Sequence, residues 1–473
     1  MATTRLTFGE WTPDRPGVIG NMTDALNVYP VASGYAPFTG KVTFGNAASE
    51  TLTSVFGGRA SGTSQLFAAS AAKIYKFDPT NLNFTDVSKS GGYSNPPADV
   101  VQFGNVLISS NGADKLQSWT IGSSTAWDDV DASAPIAKFV TVVRDFVVTG
   151  YQSNNTNRVQ WSDINDETDW TASAASQSDS QDIPDGGDIV GLTGGEFGLI
   201  FLQSSIHRMS YVGSPLFFQF DNISRGVGCA ANGSIAQYKQ VSFFLGDNGF
   251  YMCDGQTVTP IGAEKIDRWF WDNVDIQDLD NMSSQVDPER KLVIWNFKNV
   301  FAGYYQLMYQ WELNRWSYSN IAITSIGGAL TAGVTLEQLD NYGTVDSIEV
   351  SFDARQWAGG KFFVAGTFGT NVVSLEGPTL TGNLVTGDLQ LDNSNSVVTL
   401  ARPIVDGGSA SVSVASRKLL SAEVTFGTGV AADSENRVPL RSAGRYHRIK
   451  VVPSGNWVTA VGVDVELAEQ GVR

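Results

Sequence analysis

Cysteine and histidine are almost missing from this 473-residue chain, and no long apolar run occurs in it. Two cysteines, Cys229 and Cys253, cannot staple a protein of this length, so its stability has to come from packing. The two histidines, His207 and His447, lie far apart in the chain, and a general base needs an oriented partner. There is no Gly-x-Ser-x-Gly elbow and no His-Glu-x-x-His pair, which removes the common serine-hydrolase and zinc-protease signatures. The glycines of Gly57-Gly-Arg-Ala-Ser-Gly62 are spaced like a phosphate loop, but the lysine is missing and no helix pattern follows. No stretch approaches the eighteen or so apolar residues of a membrane span. Residues 1–11 contain no apolar segment of secretion-signal type, so synthesis in a cytoplasm is expected.

Positive charge is also scarce, and unevenly so. The chain holds 31 Lys+Arg against 48 Asp+Glu, a net −17. Residues 401–473 carry nine basic and seven acidic side chains, whereas the first 400 carry 22 against 41. An acidic body does not grip nucleic acid, because phosphate binding requires Lys and Arg to displace counterions. It can still surround DNA without holding it. Basic residues concentrate in one short stretch, where Arg437, Arg441, Arg445, Arg448 and Lys450 fall within fourteen positions. Strand alternation puts Arg445, His447 and Ile449 on one face and Tyr446, Arg448 and Lys450 on the other. These five cations are the candidate partner contact, to an acidic neighbouring subunit or to DNA; the plainer reading pairs them with the chain's own acids.

What the chain does have is glycine, 49 residues of it, and a repeated unit. A short apolar strand, a tight turn, a second strand and a third recur along the middle of the sequence. In the clearest copy, Val241-Ser-Phe-Phe-Leu245 turns through Gly246-Asp-Asn-Gly249 into Phe250-Tyr-Met-Cys253, then through Asp254-Gly255 toward Ile261. Comparable units begin near Leu66, Val106, Val140, Leu199 and Lys291, mostly 35–45 residues apart. That pitch suits meanders stacked as the blades of a β-propeller. Six blades are expected, and Lys361-Phe-Phe-Val-Ala365 with Val372-Val-Ser-Leu375 leaves seven open. A β-sandwich of long meanders is the competing architecture. The expected organisation is an N-terminal arm over residues 1–50, where Pro13, Pro16, Pro30 and Pro37 break alternation. A propeller follows over 51–375, then a small β-domain over 376–473. Helical spacing of Ile266, Trp269, Phe270 and Val274 predicts one short helix, and residues 335–339 another turn.

Carboxylates were weighed separately, because propellers also host glycosidases with paired acids. Asp179, Asp182, Asp185 and Asp188 do not follow the calcium-loop spacing, and Asp272, Asp275, Asp278 and Asp280 read as a second solvated turn. The pairs Trp127-Asp128 and Trp271-Asp272 lack the Gly-His partner of WD40 blades. Residues 162–170 miss the order of a sialidase Asp-box. No catalytic, cofactor-binding or metal-ligating residue is therefore assigned.

The motifs Phe8-Gly-Glu-Trp-Thr-Pro-Asp14, Asn27-Val-Tyr-Pro30 and Gly34-Tyr-Ala-Pro37 point to a family. So do Val159-Gln-Trp-Ser-Asp163, Phe243-Phe-Leu-Gly-Asp-Asn-Gly-Phe250, Ile266-Asp-Arg-Trp-Phe270, and Arg445-Tyr-His-Arg-Ile449 with residues 457–471. With them the chain resembles the packaged-DNA-stabilisation, or tail hub (nozzle), proteins of short-tailed, podovirus-type phages. The resemblance runs nearly end to end. It implies a structural, non-enzymatic virion protein of the tail, assembled in the host cytoplasm. It further implies a homo-hexameric ring below the portal and its adaptor protein, with tail fibre or spike proteins as further partners. Double-stranded DNA would pass through the ring without sequence-specific binding and be retained until ejection; no small-molecule substrate is implied. A blade-lined channel is too narrow for a duplex, so DNA would pass between subunits of a closed head-to-tail ring. The alternative reading is a carbohydrate-binding or glycan-cleaving propeller acting on host surface polysaccharide, supported by 12 Trp and the acidic loops. A stand-alone adhesion module is a third.

Overall fold

The computed structural model describes residues 2–15, 20–301, 303–390 and 395–469, so Pro16 and the chain's last four residues lie outside the described part. The fold is all-β, with 52% strand and 6% helix. Seven four-stranded antiparallel units follow one another along the chain, six of them separate sheets and one, at residues 283–319, the first part of a nine-stranded sheet; the arrangement is compatible with a propeller. The first six span residues 52–86, 99–129, 137–182, 189–225, 236–260 and 283–319. The seventh takes Ser325–Leu330, Phe362–Phe368 and Asn371–Ser374, and its outer strand is Val42–Thr43 from the other end of the chain. The six expected units are thus six of the sheets, and the possible seventh copy is the core of the seventh.

Turn chemistry explains the short hairpins. In the first sheet the strands Leu52–Ala60 and Thr63–Ser70 are joined by Ser61 and Gly62, both at positive φ (49° and 83°), the conformation a two-residue turn needs to match strand twist. Second strands are buried on both faces, so they read as unbroken apolar runs instead of alternating ones. In Leu292–Lys298, Val293, Trp295 and Phe297 pack toward the fifth sheet, while Leu292 and Ile294 pack toward the seventh. Each sheet shares a buried cluster with the next. Phe67, Trp119 and Trp127 lie between the first and second, and Phe146, Trp161 and Phe218 between the third and fourth. Phe44, Phe77, Ala329 and Phe363 lie between the seventh and first. There the backbones close in: a Cβ on Gly327 would stand 2.2 Å from the carbonyl oxygen of Val55.

Residues beyond the seventh sheet form two further sheets, and the N-terminal segment is woven through both. Ala2–Thr7 runs antiparallel to Thr459–Glu469, and the hairpin Val28–Val31 and Gly34–Pro37 extends the same six-stranded sheet. Met22–Leu26 sits between Arg315–Ser319 of the sixth sheet and Asn383–Thr386, extending that sheet into a nine-stranded one that continues through Tyr446–Ser454 and Ser409–Arg417. The segment expected as an arm is therefore a set of strands that, apart from the local pairing of Val28–Val31 with Gly34–Pro37, find partners 290 or more positions away, as in Leu26 opposite Tyr318 and Thr7 opposite Gly462. One apolar cluster runs without a break from Phe250, Trp295 and Trp316 through Trp11 and Ala25 to Val412, Ile449 and Val463. The expected short helix is Asp267–Asn273, with Phe270 buried, and Asp14 caps it by accepting from the backbone N–H groups of Arg268 and Trp269.

Candidate functional site

The expected contact strand has the expected two faces but not one common patch. Along Tyr446–Ser454, His447, Ile449 and Val451 point inward while Arg448 and Lys450 lie on the other side. Arg448 is committed internally: its guanidinium holds Asp388 at 2.9 Å, and Arg417 holds the same carboxylate at 2.6 Å, with all three side chains largely buried. Arg437 pairs with Asp433 and Glu435 at 3.1 and 2.8 Å. Lys450 lies 5.9 Å from the Phe426 ring, and Arg445 5.4 Å from that of Tyr446. Arg441 is exposed, with no ion pair among the described residues. Arg437 and Arg445 flank opposite ends of Val438–Gly444, about 26 Å apart at strand rise. The five cations therefore divide into a satisfied internal pair (Arg448), a local turn pair (Arg437), a lysine on an interior strand of the sheet (Lys450) and an edge group around Arg441 and Arg445.

His447 is fully buried between two hydroxyls, Ser396 Oγ at 2.9 Å and Ser416 Oγ at 2.7 Å, and Ser442 donates to Ser416. Burial lowers its pKa, and no carboxylate touches the ring. The ring is thus a neutral cross-link between the two C-terminal sheets, since Ser396 belongs to one and Ser416 to the other. His207 meets Asn222 at 3.1 Å. The acidic loops do not converge either. Asp182 is gripped by Arg158 Nε at 2.7 Å, Asp188 accepts from Thr156, and Asp275 pairs with Lys298 at 3.1 Å. Among the described residues no group of three or more His, Cys, Asp or Glu is arranged to hold a metal ion.

Two sites emerge that no local sequence pattern marked. The first is a polar cavity of about 1070 Å³ lined by the first strands of all seven sheets. Thr53, Asp99, Thr141, Thr193, Gln237, Ser283 and Ser325 contribute one residue from each. The volume matches roughly 35 waters at ~30 Å³ each. Asp99 is its unusual group: burial drives its pKa up to about 7, against the hydrogen bonds from Val140 N–H and Asn232 and the charge of Lys138. The second is a buried ion network. Asp287 is wholly buried, and its two oxygens accept from Arg355 at 3.0 and 3.2 Å, with Arg290 at 3.4 Å; Arg355 also grips Glu376 at 2.5 Å. Burial pushes the Asp287 carboxyl up, but the Arg355 guanidinium outweighs it and holds the pKa below its ordinary value. Arg355 belongs to the 331–361 insertion, Asp287 to the sixth sheet and Glu376 to the segment entering the C-terminal sheets, so one guanidinium ties three parts of the chain together.

No family model and no curated protein matches the chain. Solved structures match only loosely. The extracellular domain of a putative hybrid two-component system from B. thetaiotaomicron has a TM-score of 0.42 at 9% identity, over 84% of this chain. The chain spans 47% of that protein's length. A computationally designed protein (TM-score 0.39, 9% identity, 72% of this chain and 99% of that one) and a chain of the Mitotic Checkpoint Complex (0.39, 9%, 73% and 95%) are comparable.

Proposed function

We propose that the seven sheets close into a seven-bladed propeller and that the chain is a structural subunit of a short-tailed phage tail. It would form a ring below the portal and adaptor, surround the DNA exit channel and retain packaged DNA until ejection. Closure is supported by three facts: the seventh sheet shares a core with the first, borrows its outer strand from the N-terminal side, and joins the other six around one cavity. The observation that carries the tail reading is where the family-like motifs sit. Apart from residues 159–163, which lie in the third sheet, they gather at the seam between the seven sheets and the C-terminal ones. Trp11 packs 4.9 Å from Trp269 and 5.0 Å from Tyr318, Asp14 caps the helix of Trp269, and the Tyr35 hydroxyl donates to the carbonyl of Gly9. Arg315 of the sixth sheet donates to the carbonyls of Phe8 and Val31. Motifs placed at a seam instead of around a pocket suit a subunit that must transmit load as one body.

The cavity's size excludes a duplex from the propeller itself, so DNA would run between subunits along acidic walls that repel phosphate. Particles assembled without this protein should lose their DNA, and adding it back to adaptor-bearing tails should restore retention. Particles that keep their DNA without it would end the gatekeeping reading.

A further inference from the structure

Among the exposed apolar side chains, two groups bear rims of opposite charge, whereas others such as Leu216 and Val458 do not form such a pair. The first is the tip of the hairpin between Leu292–Lys298 and Tyr304–Gln310, where Phe301 is 84% and Val300 53% exposed, beside Ile276 at 67%. The tip is pinned, since Val300 N–H donates to the Asn273 carbonyl and Phe301 N–H to the Asn299 side chain. Around it lie Asp272, Asp275 and Asp278, offset by Arg268 and Lys298. The second is the loop 418–429, whose Leu419 and Leu420 are 67% and 57% exposed. It also is held, by Ala422 N–H to Leu419 and Gly427 N–H to Val414. Lys418 and Arg441 rim it, and Arg445 N–H donates to the Arg417 carbonyl at its base, with Glu423 the one acid in the loop.

The strand register places these features at opposite corners of the nine-stranded sheet. From Tyr304–Gln310 to Ser409–Arg417 is five strand steps, on the order of 24 Å. The hairpin tip lies beyond the Ser319 end of its neighbour, whereas the loop leaves from Arg417, opposite Tyr446, at the other end of the strands. One molecule cannot bring them together. We propose that they meet between molecules: the acidic-rimmed knob of Ile276, Val300 and Phe301 on one copy seats against the basic-rimmed loop of Leu419 and Leu420 on a second. Such a contact joins two different patches of the same chain and is head-to-tail, so it propagates round a ring. The buried leucines and phenylalanine supply affinity, and the opposite rims supply orientation. This rests on the ring reading and names the surfaces that build it.

Sedimentation velocity on the full chain tests it. The wild type should assemble, and the assemblies should weaken as salt rises from roughly 50 to 500 mM. Phe301→Glu and Leu420→Glu, each at a solvent-exposed site and checked for folding by near-UV circular dichroism, should each weaken association by about tenfold or more. Mixed in equal amounts, the two variants should give dimers and nothing larger, because each retains the one surface the other needs. A mixture that gives no dimer, or variants that assemble like the wild type, would overturn this contact and leave the ring standing. A wild-type chain that stays monomeric at about 100 µM would overturn both.

Discussion

The seven sheets and the C-terminal pair are built from the same kind of strand, yet they are wired in opposite ways. Within each of the first six sheets every strand pairs with its neighbour in sequence, across turns such as Ser61-Gly62. In the C-terminal pair, Ser396–Asp406 pairs with Val438–Gly444 on one side and Thr459–Glu469 on the other, and four N-terminal strands fill the remaining edges. Local wiring lets each sheet form early at low loop-closure cost, while the C-terminal pair has to wait for the chain's two ends to meet. The first region supplies the body and the second locks it.

The sharpest way to break that contrast is to separate the parts. A fragment of residues 51–375, the span the sequence marks as a propeller, should fail to give a cooperative unfolding transition. It lacks the seventh sheet's outer strand and bares Trp269 and Tyr318 on the face covered by Trp11. A fragment that unfolds cooperatively by calorimetry would show that the lock is dispensable.

That same fragment shows what was legible in the sequence. The meanders could be read because their signals are local: apolar runs four to seven residues long, separated by Asp-Gly and Asn-Gly turns. The N-terminal strands could not, since Met22-Thr-Asp-Ala-Leu26 is a strand only because Asn383–Thr386 and Arg315–Ser319 flank it. Pro30 and Pro37 argued against strands there and sit in an edge hairpin, the position that tolerates a missing N–H. The basic run was read as one patch because sequence shows charge but not Asp388, which arrives from about 60 residues upstream to claim Arg448. Asp287, Arg355 and Glu376 carried no pattern at all, since their meeting depends on three separate elements.

Next in size is the ion network that spans the two regions. Asp287→Asn should cost about 3–5 kcal/mol, because it leaves Arg355 buried with Glu376 and the exposed Glu289 but without its one wholly buried carboxylate. The effect is readable as a lower denaturant midpoint. Because the Asp287 pKa is depressed, its contribution is present above the ordinary carboxylate range and is lost only as pH falls below about 4. A loss no larger than that of an exposed ion pair would show that the insertion is not fastened there.

A smaller effect, of opposite sign, separates the cavity from the seam by pH. Asp99 is raised to about 7 and Asp24, which accepts from Tyr318 and Asn383 at the seam, to about 6. A raised carboxyl binds a proton more tightly folded than unfolded, so each group adds stability as pH falls, from its folded pKa down to about 4. Melting temperature should therefore rise as pH falls from 8 toward 5. Asp99→Asn should raise stability at pH 8 by on the order of 1 kcal/mol and remove the part of that rise that begins near pH 7. An unchanged pH profile in that variant would place the titration elsewhere.

The smallest effects sort the basic residues themselves. Arg437→Ala removes solvent-exposed pairs with Asp433 and Glu435, which water screens, so its melting temperature should be nearly that of the wild type. Arg441→Ala removes no ion pair among the described residues and should be as silent in thermal unfolding of the isolated chain. Arg448→Ala should not be silent: Asp388 would keep one guanidinium where it had two, inside a largely buried cluster. Matching melts for Arg437→Ala and Arg441→Ala, beside a clear loss for Arg448→Ala, would leave the first two cations available for contacts outside the chain. Equal losses in all three would mean that the whole basic run serves the fold and that a partner surface must be sought elsewhere.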